Sequence, residues 1–113
     1  MSDSATREAR EAAEKSQTGR CFRMVRLLCS HPLAGMSNKE LAAALDTSPA
    51  NISRDMDLLI LLGWGQKLEN GRYAITKRPL ACMLAAQTQV QETKRHAEEW
   101  QSSVTALARQ MMP

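Results

Sequence analysis

Apolar and polar positions follow two rhythms between residues 20 and 75, helical at first and strand-like at the end. Over residues 20–30, Cys21, Val25 and Leu28 recur at i, i+4 and i+7, with Phe22, Met24 and Leu27 beside them. This spacing predicts an amphipathic helix, closed at His31-Pro32 because proline cannot continue it. Arg20, Arg23 and Arg26 line much of its other side. Residues 33–35 read as a turn, and Met36 as a single edge-strand residue. Ser37-Asn38-Lys39-Glu40 then reads as a capping box, in which the Ser hydroxyl accepts from the Glu40 amide and the carboxylate reaches back. The helix it opens runs to about Leu45, with Leu41 and Leu45 inward and small alanines between them for a close crossing.

Asp46-Thr47 makes the next turn. Ser48 is an N-cap and Pro49 a first helical residue, where its fixed φ helps and its missing N–H costs nothing. Ile52, Met56 and Leu59 face the core at i, i+4 and i+7. Ala50 and Arg54 lie opposite Ile52, flanked by Asn51 and Asp57. Gly63 stops this helix as a C′ residue. Residues 64–68 and 72–75 form two short strands joined by Glu69-Asn70-Gly71, and Asn-Gly is a strong hairpin signal. Tyr73 and Ile75 share the inward face, with Lys67 and Arg72 left outside. Helix, turn, helix and hairpin in this order predict a winged helix-turn-helix over residues 18–78, in a mainly α protein with a three-helix core and a β-hairpin wing.

The two flanks differ. Residues 1–17 have only alanines for an apolar stripe, which predicts a flexible or frayed helical N-terminal arm, solvated or touching DNA. From Met83, the positions Met83, Ala86, Val90, Thr93, Ala97, Trp100, Val104, Leu107 and Met111 are spaced 3, 4, 3, 4 throughout. Residues 79–113 therefore read as one long helix, roughly 45 Å at about 1.5 Å per residue. A domain of about 60 residues, some 25 Å across, cannot cover such a stripe. Pairing of two copies through these nine positions is the expected solution. The alternative is a helix lying on its own domain.

Composition sharpens this picture. Of 113 residues, Lys and Arg number 15 and Asp and Glu 12, for a net charge of +3. Residues 18–78 hold nine of the bases and five of the acids, so the positive excess sits on the predicted helix-turn-helix. No apolar run is long enough to span a bilayer and no secretory leader is evident, so a cytoplasmic protein without membrane contact is expected. The three cysteines (Cys21, Cys29, Cys82) form no CxxC or Cys/His metal spacing and read as reduced, mostly buried thiols. No nucleophile–base pair, glycine-rich phosphate loop or metal signature is present, so neither an enzyme nor a bound cofactor is expected.

The chemistry left is that of phosphate and base edges. Ser48, Pro49, Ala50 and Asn51 open a helix whose free amides and dipole suit a phosphate. Ser53 adds a short polar group, and Arg54 has the reach for a guanine edge. Lys39, Lys67, Asn70 and Arg72 are candidates for the DNA backbone or minor groove. Asp55 and Asp57 near Arg54 supply the competing reading, a neutralised surface arginine.

On these residues the chain resembles the N-terminal DNA-binding domain of IclR-type transcriptional regulators. The likeness runs from about residue 18 to 79 through Ser37, Glu40-Leu41-Ala42, Leu45, Pro49, Ser53-Arg54, Leu59, Gly63-Trp64 and Gly71-Arg72-Tyr73. MarR-like and PadR-like winged helices share much of the pattern. The resemblance implies a recognition helix starting at Ser48, in proteins that bind operators as dimers. Two departures stand out. Only some 35 residues follow the wing, where IclR-type regulators carry an effector-binding domain. Asp55 stands where the family tends to have an apolar residue, and Ile60 and Leu61 where it tends to have polar ones; with Leu58, Leu59 and Leu62, the end of the recognition helix is apolar all round. Something must cover it. The expected function is a homodimeric, sequence-specific regulator of transcription, a repressor by default, on a palindromic double-stranded DNA site. The competing class is a winged-helix adaptor that binds a protein through the surface around Leu58 and Leu61.

Overall fold

The computed structural model describes residues 3–112. It is mainly helical, with one small two-stranded antiparallel sheet and a long C-terminal helix. The chain divides into two units after Pro79.

The first unit opens with α1 (Asp3–Lys15), a helix with no buried residue. Ser16 separates it from α2 (Gln17–Leu28), donating to the Ala13 carbonyl at 2.5 Å and accepting from the Gly19 amide at 3.1 Å. This cap starts α2 three residues earlier than its apolar pattern indicates. The helix also ends sooner, at Leu28. The amides of Cys29, Ser30 and His31 turn back onto the carbonyls of Val25, Leu27 and Leu28, ahead of the residue that Pro32 would force out of helical geometry.

Two helices cross next: α3 (Asn38–Leu45) and α4 (Pro49–Leu61). Both caps follow the sequence. Ser37 and Glu40 form the full capping box, and Ser48 accepts from the Asn51 amide with Pro49 in the first turn. Asp46 ends α3 in the left-handed region at φ 51°, which an aspartate tolerates better than most residues.

The hairpin is β1 (Gly65–Lys67) and β2 (Tyr73–Ile75), paired Gly65 to Ile75 and Lys67 to Tyr73. Met36 forms the predicted edge bridge, exchanging two 2.8 Å hydrogen bonds with Tyr73. Gly35 makes this possible. Its φ is +66°, and a Cβ there would run into the Tyr73 carbonyl. All of β2 is buried. The core collects Met24 and Leu28 from α2, Leu41 from α3, Ile52 and Met56 from α4, and Tyr73.

The last helix, α5 (Lys77–Met111), spans 35 residues. It starts two residues ahead of Pro79 because Thr76 acts as a cap, accepting from the Arg78 amide and donating to the Gly63 carbonyl at 2.6 Å. From Leu80 onward the described residues are exposed, and the whole stripe from Met83 to Met111 faces solvent.

Two expectations need correction. Cys29 and Cys82 are exposed, and only Cys21 is half-buried, because Cys29 falls beyond the last packed turn of α2. Arg20 does not join Arg23 and Arg26 on the outer side. It points inward.

Candidate functional site

The geometry around α3 and α4 is set from the inside by Asn38. Its amide nitrogen donates to the Pro49 carbonyl at 3.1 Å and to Ser53 Oγ at 3.0 Å, and Ser53 in turn donates to the Pro49 carbonyl. Asn38 thus fixes the crossing of the two helices. Ser53, a candidate contact by sequence, faces this joint and serves the scaffold. On the outer side, Thr47 Oγ1 accepts from the Asn51 amide group at 2.9 Å, and Asn51 Oδ1 accepts from Arg54 Nη2 at 2.9 Å. A relay from the turn through Asn51 therefore positions the Arg54 guanidinium along α4. The acid beside Arg54 takes no part: Asp55 points to the other side of the helix. Ser48, Pro49, Ala50 and Arg54 are all exposed.

Asp55 is fully buried and held by Arg20, whose Nε donates at 2.6 Å and Nη2 at 3.1 Å to the two carboxylate oxygens. The same guanidinium donates through Nη1 to the Lys15 carbonyl at 2.7 Å, so one side chain joins the end of α1, α2 and the middle of α4. The hydrogen bond to Asp55 raises the Arg20 pKa above its ordinary value, which keeps the guanidinium charged at any working pH. Burial pushes the neighbouring Cys21 thiol up and so keeps it protonated.

The hairpin presents Lys67 and Asn70 on its exposed side. Lys67 Nζ lies 5.8 Å over the Tyr73 ring, and Asn70 Oδ1 accepts from the Arg72 amide to tighten the turn. Arg72 differs from its expected placement. Its guanidinium donates to the carbonyls of Ala34 (3.1 Å) and Gly35 (2.9 Å) and to Glu40 (2.8 Å), so the hairpin is tied to the loop before α3 and to α3 itself. Lys39 stands exposed one residue before that carboxylate.

No family model, curated protein or solved structure matches the chain.

The Ser37 amide, the Ser37 hydroxyl and Arg72, in that order, hold the Glu40 carboxyl below its ordinary range. A carboxyl with a depressed folded-state pKa contributes stability that is complete above its unfolded pKa. That contribution disappears as pH falls through the lower folded value. A urea-midpoint difference between the native chain and Glu40→Gln is therefore expected to be steady near pH 7 and to shrink below the ordinary glutamate range of about 4 to 5. A difference constant down to pH 3 would show that the charge of Glu40 does not matter to the loop.

Beside this polar region lies an apolar one. A cleft of about 400 Å³ opens between α2 and the end of α4, lined among others by Phe22, Val25, Leu58, Leu62 and Trp64. Leu61 next to it is 82% exposed. Among the described residues, no group of three His, Cys, Asp or Glu side chains is placed to hold a metal ion, and no helix is long and apolar enough to cross a membrane.

Proposed function

We propose that the chain is a winged helix-turn-helix protein that binds double-stranded DNA as a homodimer and regulates transcription, by default as a repressor that occupies its site. The single observation that carries this reading is the outer face of α4. There an exposed, Ser48-capped N-terminus and an Arg54 guanidinium set in place by Asn51 lie on the helix that follows a braced helix crossing. In this reading α4 enters the major groove. Ala50 packs against base edges, Arg54 reaches a guanine, and the amides of the first turn meet a phosphate. Lys39 on α3 and Lys67 and Asn70 on the hairpin supply flanking backbone contacts. Arg72 contacts DNA in this scheme only by giving up its bonds to the protein, so its role is to hold the wing. Pairing through the α5 stripe places two recognition helices on a palindrome, with half-sites about 34 Å apart or a multiple of it.

The test is binding to duplex DNA over a salt series. The native chain should lose affinity steeply with salt, by about 0.9 log units per log unit of salt for each phosphate neutralised. Lys67→Ala should lower that slope by about 1 and weaken all sequences alike. Arg54→Ala should cost about 1–3 kcal/mol on a selected site and relax its sequence preference. A folded dimer indifferent to DNA at low salt would remove this reading.

The second reading, a winged-helix adaptor for a protein partner, is favoured by the uncharged cleft beside α2 and by the diversion of Arg72 into the fold. Under that reading Arg54→Ala and Lys67→Ala are silent.

A further inference from the structure

We infer that the cleft between α2 and the end of α4 seats the C-terminal half of α5 from a second copy of the chain, with Trp100 as its anchor. The inference rests on the homodimer of the reading above; it confines helix pairing to the first half of the α5 stripe and assigns Trp100, Val104 and Leu107 to the partner's cleft instead.

Three observations converge on this occupant. The first is the uneven make-up of the α5 stripe. Its first half interleaves Met83 and Val90 with the small Ala86, Thr93 and Ala97, which lets two helices cross closely but buries little. Trp100, Val104 and Leu107 are large, and Trp100 is 72% exposed. In a two-stranded seam each side chain enters a hole made by four residues of the facing helix. An indole overfills such a hole, whereas a cleft of about 400 Å³ accepts it together with an aliphatic side chain one turn away.

The second is charge. Paired helices are commonly matched by acids and bases flanking the seam. On the C-terminal half of α5 those flanking positions are Gln101, Ser103, Ala108 and Gln110, none of them charged. The lining of the cleft is equally uncharged. An uncharged ridge suits an uncharged groove, and water would solvate neither well.

The third is symmetry. A two-fold exchange fills both clefts with both helices, using one patch twice, and closes the assembly. It covers Leu58 and Leu62, and no charged side chain has to be desolvated to do so.

The decisive experiment is disulfide trapping in the full-length chain. Thr18 lines the cleft and is exposed, and Val104 lies one turn beyond Trp100 on the same stripe. In a background of Cys21→Ser, Cys29→Ser and Cys82→Ser, Thr18→Cys and Val104→Cys are combined. Isotopically heavy and light chains are mixed, oxidised without DNA and digested, and the linked peptides are weighed. Docking predicts disulfides between positions 18 and 104 that join heavy to light chains. Links between two copies of position 104 alone, links between 18 and 104 within one chain, or the absence of any link would each overturn it.

Sedimentation of Leu62→Glu provides an independent readout. Leu62 is 58% exposed, so the change leaves the core alone. The dimer dissociation constant should rise about 30-fold or more, the loss expected of a central interface residue. A dimer as tight as the native one would sink the assignment. Neither readout involves DNA, so a chain that docks in this way yet ignores DNA removes the regulator reading and leaves the docking intact.

Discussion

Arg20→Ala is expected to lower the free energy of unfolding by about 3–5 kcal/mol, because it strands the Asp55 carboxylate in the core without its partner. The side chain of Asp55 has no exposure, and both its oxygens are held by the guanidinium. Domains of this size are stable by only about 5–15 kcal/mol, so the variant should be near its unfolding midpoint in mild urea. The reverse change is asymmetric. The Arg20 side chain is 15% exposed and also bonds the Lys15 carbonyl, so Asp55→Ala leaves a charge that can still reach water. It should cost less than Arg20→Ala. Replacing both, as Arg20→Met with Asp55→Leu, should recover most of the loss, since well-packed apolar pairs often match buried ion pairs in stability. Urea midpoints of the three variants decide the matter. Equal losses for the two single changes would show that Asp55 is not isolated from solvent.

Gly35→Ala is expected to cost about 3 kcal/mol. Roughly 1–2 kcal/mol comes from forcing an L side chain to a φ of +66°. The rest follows from the collision of the new methyl with the Tyr73 carbonyl, which opens the Met36–Tyr73 pair and its two hydrogen bonds, at about 1 kcal/mol each. The melting temperature should fall by about 10–20 °C in a domain of this size. Gly71→Ala is the control. Gly71 has a similar φ of +85°, but nothing lies within 4 Å of its would-be Cβ, so only the backbone cost applies. If both substitutions cost the same, the tie between loop and hairpin contributes nothing.

The sequence reading succeeds where a feature is local. A capping box, an N-cap followed by proline, a glycine stop and an Asn-Gly turn are each decided within four or five residues. All of them stand in the structure at the positions expected. The helical periods also place Leu41, Ile52, Met56 and Leu59 in the core.

What escaped were pairings over distance. Arg20 and Asp55 lie 35 residues apart, and each has a neighbour that distracts. Arg23 and Arg26 suggest a basic outer stripe, and Arg54 offers Asp55 a partner at hand. A signal was present all the same. Asp55 falls between Ile52 and Met56 on the inward arc of α4, and Arg20 precedes Met24 and Leu28 at a spacing of four. A charge on each of two core-facing arcs calls for the other, since neither is tolerated alone. Arg72 escaped for a different reason. Its partners at Ala34 and Gly35 are backbone carbonyls, which no side-chain pattern announces. Of the candidate contacts, the turn-to-Arg54 relay is half legible: the wheel puts Asn51 and Arg54 on the outward side, but nothing in the pattern announces the Thr47 bond or the inward turn of Ser53.

The Asn38 joint has a consequence for how such a chain can diversify. Because the crossing of α3 and α4 is braced from behind by Asn38, Ser53 and the Pro49 carbonyl, the outward positions Ala50, Arg54 and Asp57 have no structural duty in the core. The joint and the outward face are separate sets of side chains on one helix. A lineage, or a library, can rewrite the three outward letters repeatedly without retuning the body that carries them.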